Sequence, residues 1–159
     1  IMVLSAYKYS QMNQQTTHNF TWGPIFLIGV VALAFGFIWA FHPEPWLLDK
    51  PPNEVLLQTT FKNLFSHKVN KFLPSYLIVI YRFFGLWLIT IGLLVLSYVK
   101  VTKLGTKQAR YPIYLTLLIT LISMYYLVFK YLPTSPLIPT LYIFTLLLGL
   151  SIYFSSHIR

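Results

Sequence analysis

The chain reads as all-α: an integral membrane four-helix bundle with one interfacial amphipathic helix between its first two spans. Three observations predict this. Hydrophobic residues make up 57% of the 159 positions and charged residues only 9%, against about 25% charged in an ordinary soluble domain. A water-soluble fold of this size could not hide so much apolar surface. Four apolar runs are each long enough to cross ~30 Å of hydrocarbon as helices rising ~1.5 Å per residue. Between the first two runs, the apolar residues recur at helical spacing instead of continuously.

The predicted spans are residues 22–41, 73–99, 111–131 and 137–154, in a single transmembrane domain covering residues 1–159. Pro24, Pro74 and Pro112 fall in predicted first turns, where a missing N–H costs least. Pro133, Pro136 and Pro139 stiffen the link between spans three and four. Trp22, Trp39, Tyr98, Tyr111, Tyr131, Tyr142 and Tyr153 lie near span ends, where aromatic rings suit the headgroup level. Residues 54–72 form the interfacial element. Asn53 is placed to cap it after Pro51-Pro52, and Leu57, Phe61, Leu64, Phe65, Val69 and Phe72 share one face opposite Lys62, Asn63, Ser66, Asn70 and Lys71.

Net charge is +9, from twelve Lys and Arg against three acids. These cations flank apolar spans, which points to membrane lipids as partners and excludes nucleic acid. The absence of cysteine removes disulfide, thiolate-metal and thiol-redox chemistry. Residues 100–110 carry Lys100, Lys103, Lys107 and Arg110 without an acid. This assigns that loop to the cytoplasmic or matrix side of a bacterial inner or organellar membrane. An even number of spans then puts both termini on that side, with Lys8 and Arg159.

Arg82 lies about nine residues inside the second apolar run. An ionisable group there is expensive in lipid and is a functional-site candidate by default. The three acids, Glu44, Asp49 and Glu54, all follow span one, beside His42, and span two enters from their side. Lys130, at the far end of span three, arrives there too. Two readings stand. Either these residues form a polar vestibule in which Arg82 anchors a phosphate, carboxylate or quinone headgroup, or a loop carboxylate folds over and neutralises Arg82.

Small residues supply packing seams, with Gly29 and Gly36 on span one and Gly85 and Gly92 on span two. Thr116, Thr120 and Ser123 line one stripe of span three, where hydroxyls bond a neighbour or their own i−4 carbonyls. The four histidines lie at span ends or outside them, H-E-x-x-H is missing, and no metal site or cofactor is expected. No acid lies within a span, which disfavours proton-coupled transport.

Gly29 and Gly36 precede Phe41-His42-Pro43-Glu44, and Tyr81-Arg82-Phe83-Phe84-Gly85 leads to Gly92. In this pattern residues 25–100 resemble small four-span bacterial membrane proteins of the DoxX-like kind. The resemblance implies a four-helix bundle and brings no catalytic residues. The function expected is that of a non-catalytic membrane subunit or scaffold, packing against lipid and against other membrane subunits or copies of itself. The alternatives are an enzyme or binding protein for an amphipathic lipid-phase molecule held by Arg82, and an oligomeric small transporter.

Overall fold

The computed structural model describes the backbone of residues 2–158 and the side chains of residues 14–158. Ile1, Arg159 and the side chain of Lys8 lie outside the described residues. Six α-helices run in order: α1 (Met2–Phe41), α2 (Lys50–Leu57), α3 (Phe61–Ser66), α4 (Leu73–Thr102), α5 (Lys107–Tyr131) and α6 (Ile138–Ser155). Short 3-10 turns at Pro45–Asp49 and Lys68–Asn70 join them. No strand occurs among the described residues. Four helices, α1, α4, α5 and α6, are long and apolar enough to cross a membrane, which fits a multi-pass membrane protein.

Helix α1 is the centre of the bundle. It packs along α4 on one side and α6 on the other, α6 packs on α5, and α4 barely touches α5. The α1–α4 seam is built on glycine. A methyl group on Gly36 would lie 2.6 Å from Ile89 N and 2.9 Å from Gly85 O. One on Gly85 would lie 2.5 Å from Ala40 N, and one on Gly92 would lie 2.7 Å from Leu33 N. At Gly29 the neighbours are side-chain atoms, Leu96 Cγ at 3.0 Å and Val95 Cγ1 at 3.1 Å. The two backbones therefore run in contact, where dispersion gains most per residue in a lipid-like environment. Ile25, Ile28, Val95, Val99, Leu104 and Tyr114 bury their side chains in one cluster, which continues between α5 and α6 through Leu121, Val128, Leu141 and Leu148.

Polar contacts pin the two ends of this bundle. At the end carrying the 103–106 loop, the buried Ser151 hydroxyl of α6 donates to Thr21 O of α1. It also exchanges a 2.9 Å hydrogen bond with the Tyr114 hydroxyl of α5. Tyr98 of α4 donates to Ala109 O of α5 at 2.8 Å, and Lys103 lies 4.3 Å above the Trp22 ring. At the opposite end, Ser135 donates to Asp49 Oδ1 at 3.3 Å and Asn53 Nδ2 donates to the Tyr81 hydroxyl at 2.7 Å.

Several expectations need correction. Residues 54–72 are not one helix. Gln58 takes a left-handed conformation (φ 51°) that ends α2, and Thr60 Oγ1 accepts from Asn63 N to start α3. Glu54 Oε1 accepts from Phe61 N at 2.9 Å, satisfying a donor that a continuous helix would have paired internally. The break costs the amphipathic face its continuity: Phe61 is buried against Trp46 and Phe65, while Val69 and Phe72 are exposed. Asn53 is not a cap, because α2 begins at Lys50 and its side chain reaches Tyr81 instead. Pro24 and Pro112 are not in first turns, since α1 and α5 start earlier than residues 22 and 111. Each removes one intrahelical N–H. Trp39, expected at the headgroup level, is buried between Phe35 and Phe84.

Candidate functional site

The sequence nominates Arg82 and the segment that follows α1, and the geometry of α4 decides their relation. Gly85 and Gly92 face α1, and Val95 and Val99 face the core. At 100° per residue, Arg82 points about 60° from Gly85 and about 140° from Val95. It therefore occupies the outer flank of α4 and is exposed, as are Phe83, Leu86 and Trp87 nearby. No hydrogen bond or ion pair joins Arg82 to any described residue; the one ion pair among them is Lys50 to Glu54, at 3.9 Å.

The segment after α1 does fold over the end of the bundle, but it meets a different face of α4. Tyr81, one residue before Arg82 and so about 100° around the helix, takes the hydrogen bond from Asn53. Turning Tyr81 toward the segment turns Arg82 away from it. Asp49 accepts from Ser135, in the α5–α6 connection. Burial pushes the Asp49 carboxyl above its ordinary 3.8, with the Ser135 hydroxyl pulling the other way. His42 Nδ1 accepts from Glu44 N at 3.1 Å, a local turn contact. Glu54 serves α3 and Lys50.

The expected gathering of His42, Glu44, Asp49, Glu54, Arg82 and Lys130 is thus not one site. Asp49 and Glu54 hold the segment together, Arg82 stands outside, and Lys130 is exposed on α5, where Nζ donates to the Tyr126 hydroxyl at 2.6 Å and lies 5.0 Å from the Tyr131 ring. Neutralisation of Arg82 by a loop carboxylate, one of the two readings above, does not occur within the chain. The four seam glycines, by contrast, are brought together. In the α5 stripe, Thr116 donates to Pro112 O and Thr120 to Thr116 O, both at 2.8 Å, so these hydroxyls serve their own helix. Among the described residues no group of three His, Asp or Glu could hold a metal ion.

Sequence reasoning passed over the second membrane-end arginine. Arg110, on the first turns of α5, is buried, with 4% of its surface exposed. Its Nη1 donates to Ser155 O at 2.8 Å and Ser155 Oγ at 3.1 Å, and Nε donates to Thr106 O at 3.2 Å. A guanidinium on the last carbonyls of α6 complements the negative end of that helix. The Thr21–Ser151–Tyr114 chain was also missed, although a serine within Leu147-Leu148-Gly149-Leu150-Ser151 is a polar group that an apolar helix must pair. No family model, curated protein or solved structure matches the chain.

Proposed function

We propose that this protein is a non-catalytic integral membrane subunit that packs within a larger membrane complex and against lipid, using the outer flank of α4. The observation that carries this reading is Arg82: a permanent cation on an otherwise apolar, exposed helix flank, with no counter-charge among the described residues. Its anion has to come from outside. Helix α4 has 30 residues, or ~45 Å, while the hydrocarbon is ~30 Å thick. Centred in the bilayer, that helix sets Arg82 only ~6 Å below the hydrocarbon edge, within reach of an acid on a neighbouring subunit's helix. The backbone-tight α1–α4 pair offers a rigid platform for such docking. The acid-free 100–110 loop supports placing that end on the cytoplasmic or matrix side.

The same depth favours one alternative, in which Arg82 rises to hold the phosphate or carboxylate of an amphipathic lipid-phase molecule. Purification in a gentle detergent separates the two, with mass spectrometry of everything retained. The subunit reading expects a co-purifying membrane polypeptide that Arg82→Leu reduces about tenfold or more and Arg82→Lys reduces less. Retention of a small anionic molecule that Arg82→Leu releases, with no polypeptide, would put the alternative in its place. Identical retention by the original protein and Arg82→Leu would sink both.

A further inference from the structure

A cavity of about 310 Å³ opens at the basic end of the bundle, between the first turns of α5 and the last turn of α6. Lys107, Arg110, Tyr111 and Ser155 are among the residues that line it. It is remote from Arg82, and nothing in the reading of the α4 flank uses it.

Its chemistry is that of a cation uncompensated among the described residues. Arg110 is buried, yet its three hydrogen bonds go to two carbonyls and a hydroxyl, never to a carboxylate. These bonds occupy Nη1 and Nε; Nη2, with two N–H donors, has no partner among the described residues. The chain's three acids all lie between positions 44 and 54, in the segment tied to Tyr81 and Ser135 at the opposite end. Lys107 brings a second cation to the same space, at the first position of α5, where the positive end of the helix dipole adds to it. The Tyr111 hydroxyl makes no hydrogen bond within the described residues. A buried fork of N–H donors, an ammonium group, a phenol donor and a helix N-terminus around one cavity match the oxygens of a phosphate.

We propose that this cavity binds a phosphate group: that of an anionic glycerophospholipid headgroup, or free phosphate. Its place where the apolar part of α5 begins, with Tyr111 exposed beside it, sets it at the level where headgroup phosphates lie.

The test is native mass spectrometry of the protein from nanodiscs of equimolar phosphatidylcholine and phosphatidylglycerol, paired with thermal shifts on adding inorganic phosphate in phosphatidylcholine alone. Because Arg110 also ties α5 to α6, the variants are surface ones: Lys107→Glu, Tyr111→Phe, and Lys100→Glu as an exposed cation outside the cavity. The lipid form expects phosphatidylglycerol to be retained about tenfold over phosphatidylcholine, with Lys107→Glu abolishing the preference, Tyr111→Phe weakening it and Lys100→Glu leaving it intact. A thermal shift by inorganic phosphate that Lys107→Glu removes, without a lipid preference, identifies free phosphate as the ligand. Neither preference nor shift, or equal losses in Lys107→Glu and Lys100→Glu, overturns the proposal.

Discussion

The start of α5 and the outer flank of α4 each carry an arginine near a membrane boundary, and the chain treats the two in opposite ways. Arg110 is buried and hydrogen-bonded to both its own helix and α6. Arg82 is exposed and joined to none of the described residues. Hydropathy ranks them in reverse, since Arg82 interrupts an apolar run and Arg110 sits in a basic loop. The difference teaches that depth in a span does not say whether a charge is structural. What decides is the side of the helix it occupies, and the neighbouring contacts set that side.

The contact that sets it for Arg82 is the glycine seam, so the comparison breaks most completely there. Gly85→Leu would force side-chain carbons against Ala40 N and Gly36 O. Separation of α1 from α4 should cost about 3 kcal/mol or more, read as a collapse of thermal stability in detergent. Stability unchanged in that variant would mean that the backbones are not in contact. Next in size is Arg110→Met, which keeps the bulk but removes the bonds to Ser155 O and Thr106 O. A loss of about 2 kcal/mol is expected in unfolding by denaturant, and an unaffected midpoint would remove the structural role given to this residue.

Asp49 sharpens the contrast from the acidic end. Its folded-state pKa is raised by burial. The protonated carboxyl therefore favours the fold: this contribution is complete below about 3.8 and lost as pH rises through the folded value. Asp49→Asn keeps a partner for Ser135 without the charge, and should be neutral or more stable at pH 7, with a flatter stability profile at acid pH. Greater stability of the original protein at neutral pH would contradict this. Smallest of all is Arg82→Leu, expected within about 0.5 kcal/mol of the original in the isolated chain. A large loss there would reveal an intramolecular partner and erase the comparison.

The spans were legible because length and composition are enough to mark them, and the seam because glycine at one-face spacing has few other uses in a span. The apolar spacing through 54–72 was equally regular, yet it does not encode a helix. Gln58 and the threonines after it turn the chain there, and the gain lies in burying Phe61 on Trp46, a contact invisible along the chain. The candidate site failed for a related reason. Arg82 and the acids do lie toward the same end, but the face of α4 that meets the acidic segment belongs to Tyr81. Arg110 looked like a loop charge because nothing in residues 100–110 shows that Ser155 will stand beside it.

Helix α1 carries two partners that are made at different times. Everything in the seam with α4 lies within the first 102 positions, so this pair can dock while α5 and α6 are still being synthesised. The bond from Ser151 to Thr21 joins residues 130 apart and must wait for α6. Until then Thr21 faces lipid or the insertion machinery with its polar groups served only within α1. Assembly is therefore expected to proceed by a hairpin first and a closure second, the late step bringing the Ser151 hydroxyl and the Phe154 ring onto α1. Chemically crosslinked cysteine pairs at Trp39–Phe84, across α1 and α4, and at Phe20–Phe154, across α1 and α6, in stalled chains of increasing length would reveal that order, and simultaneous formation would refute it.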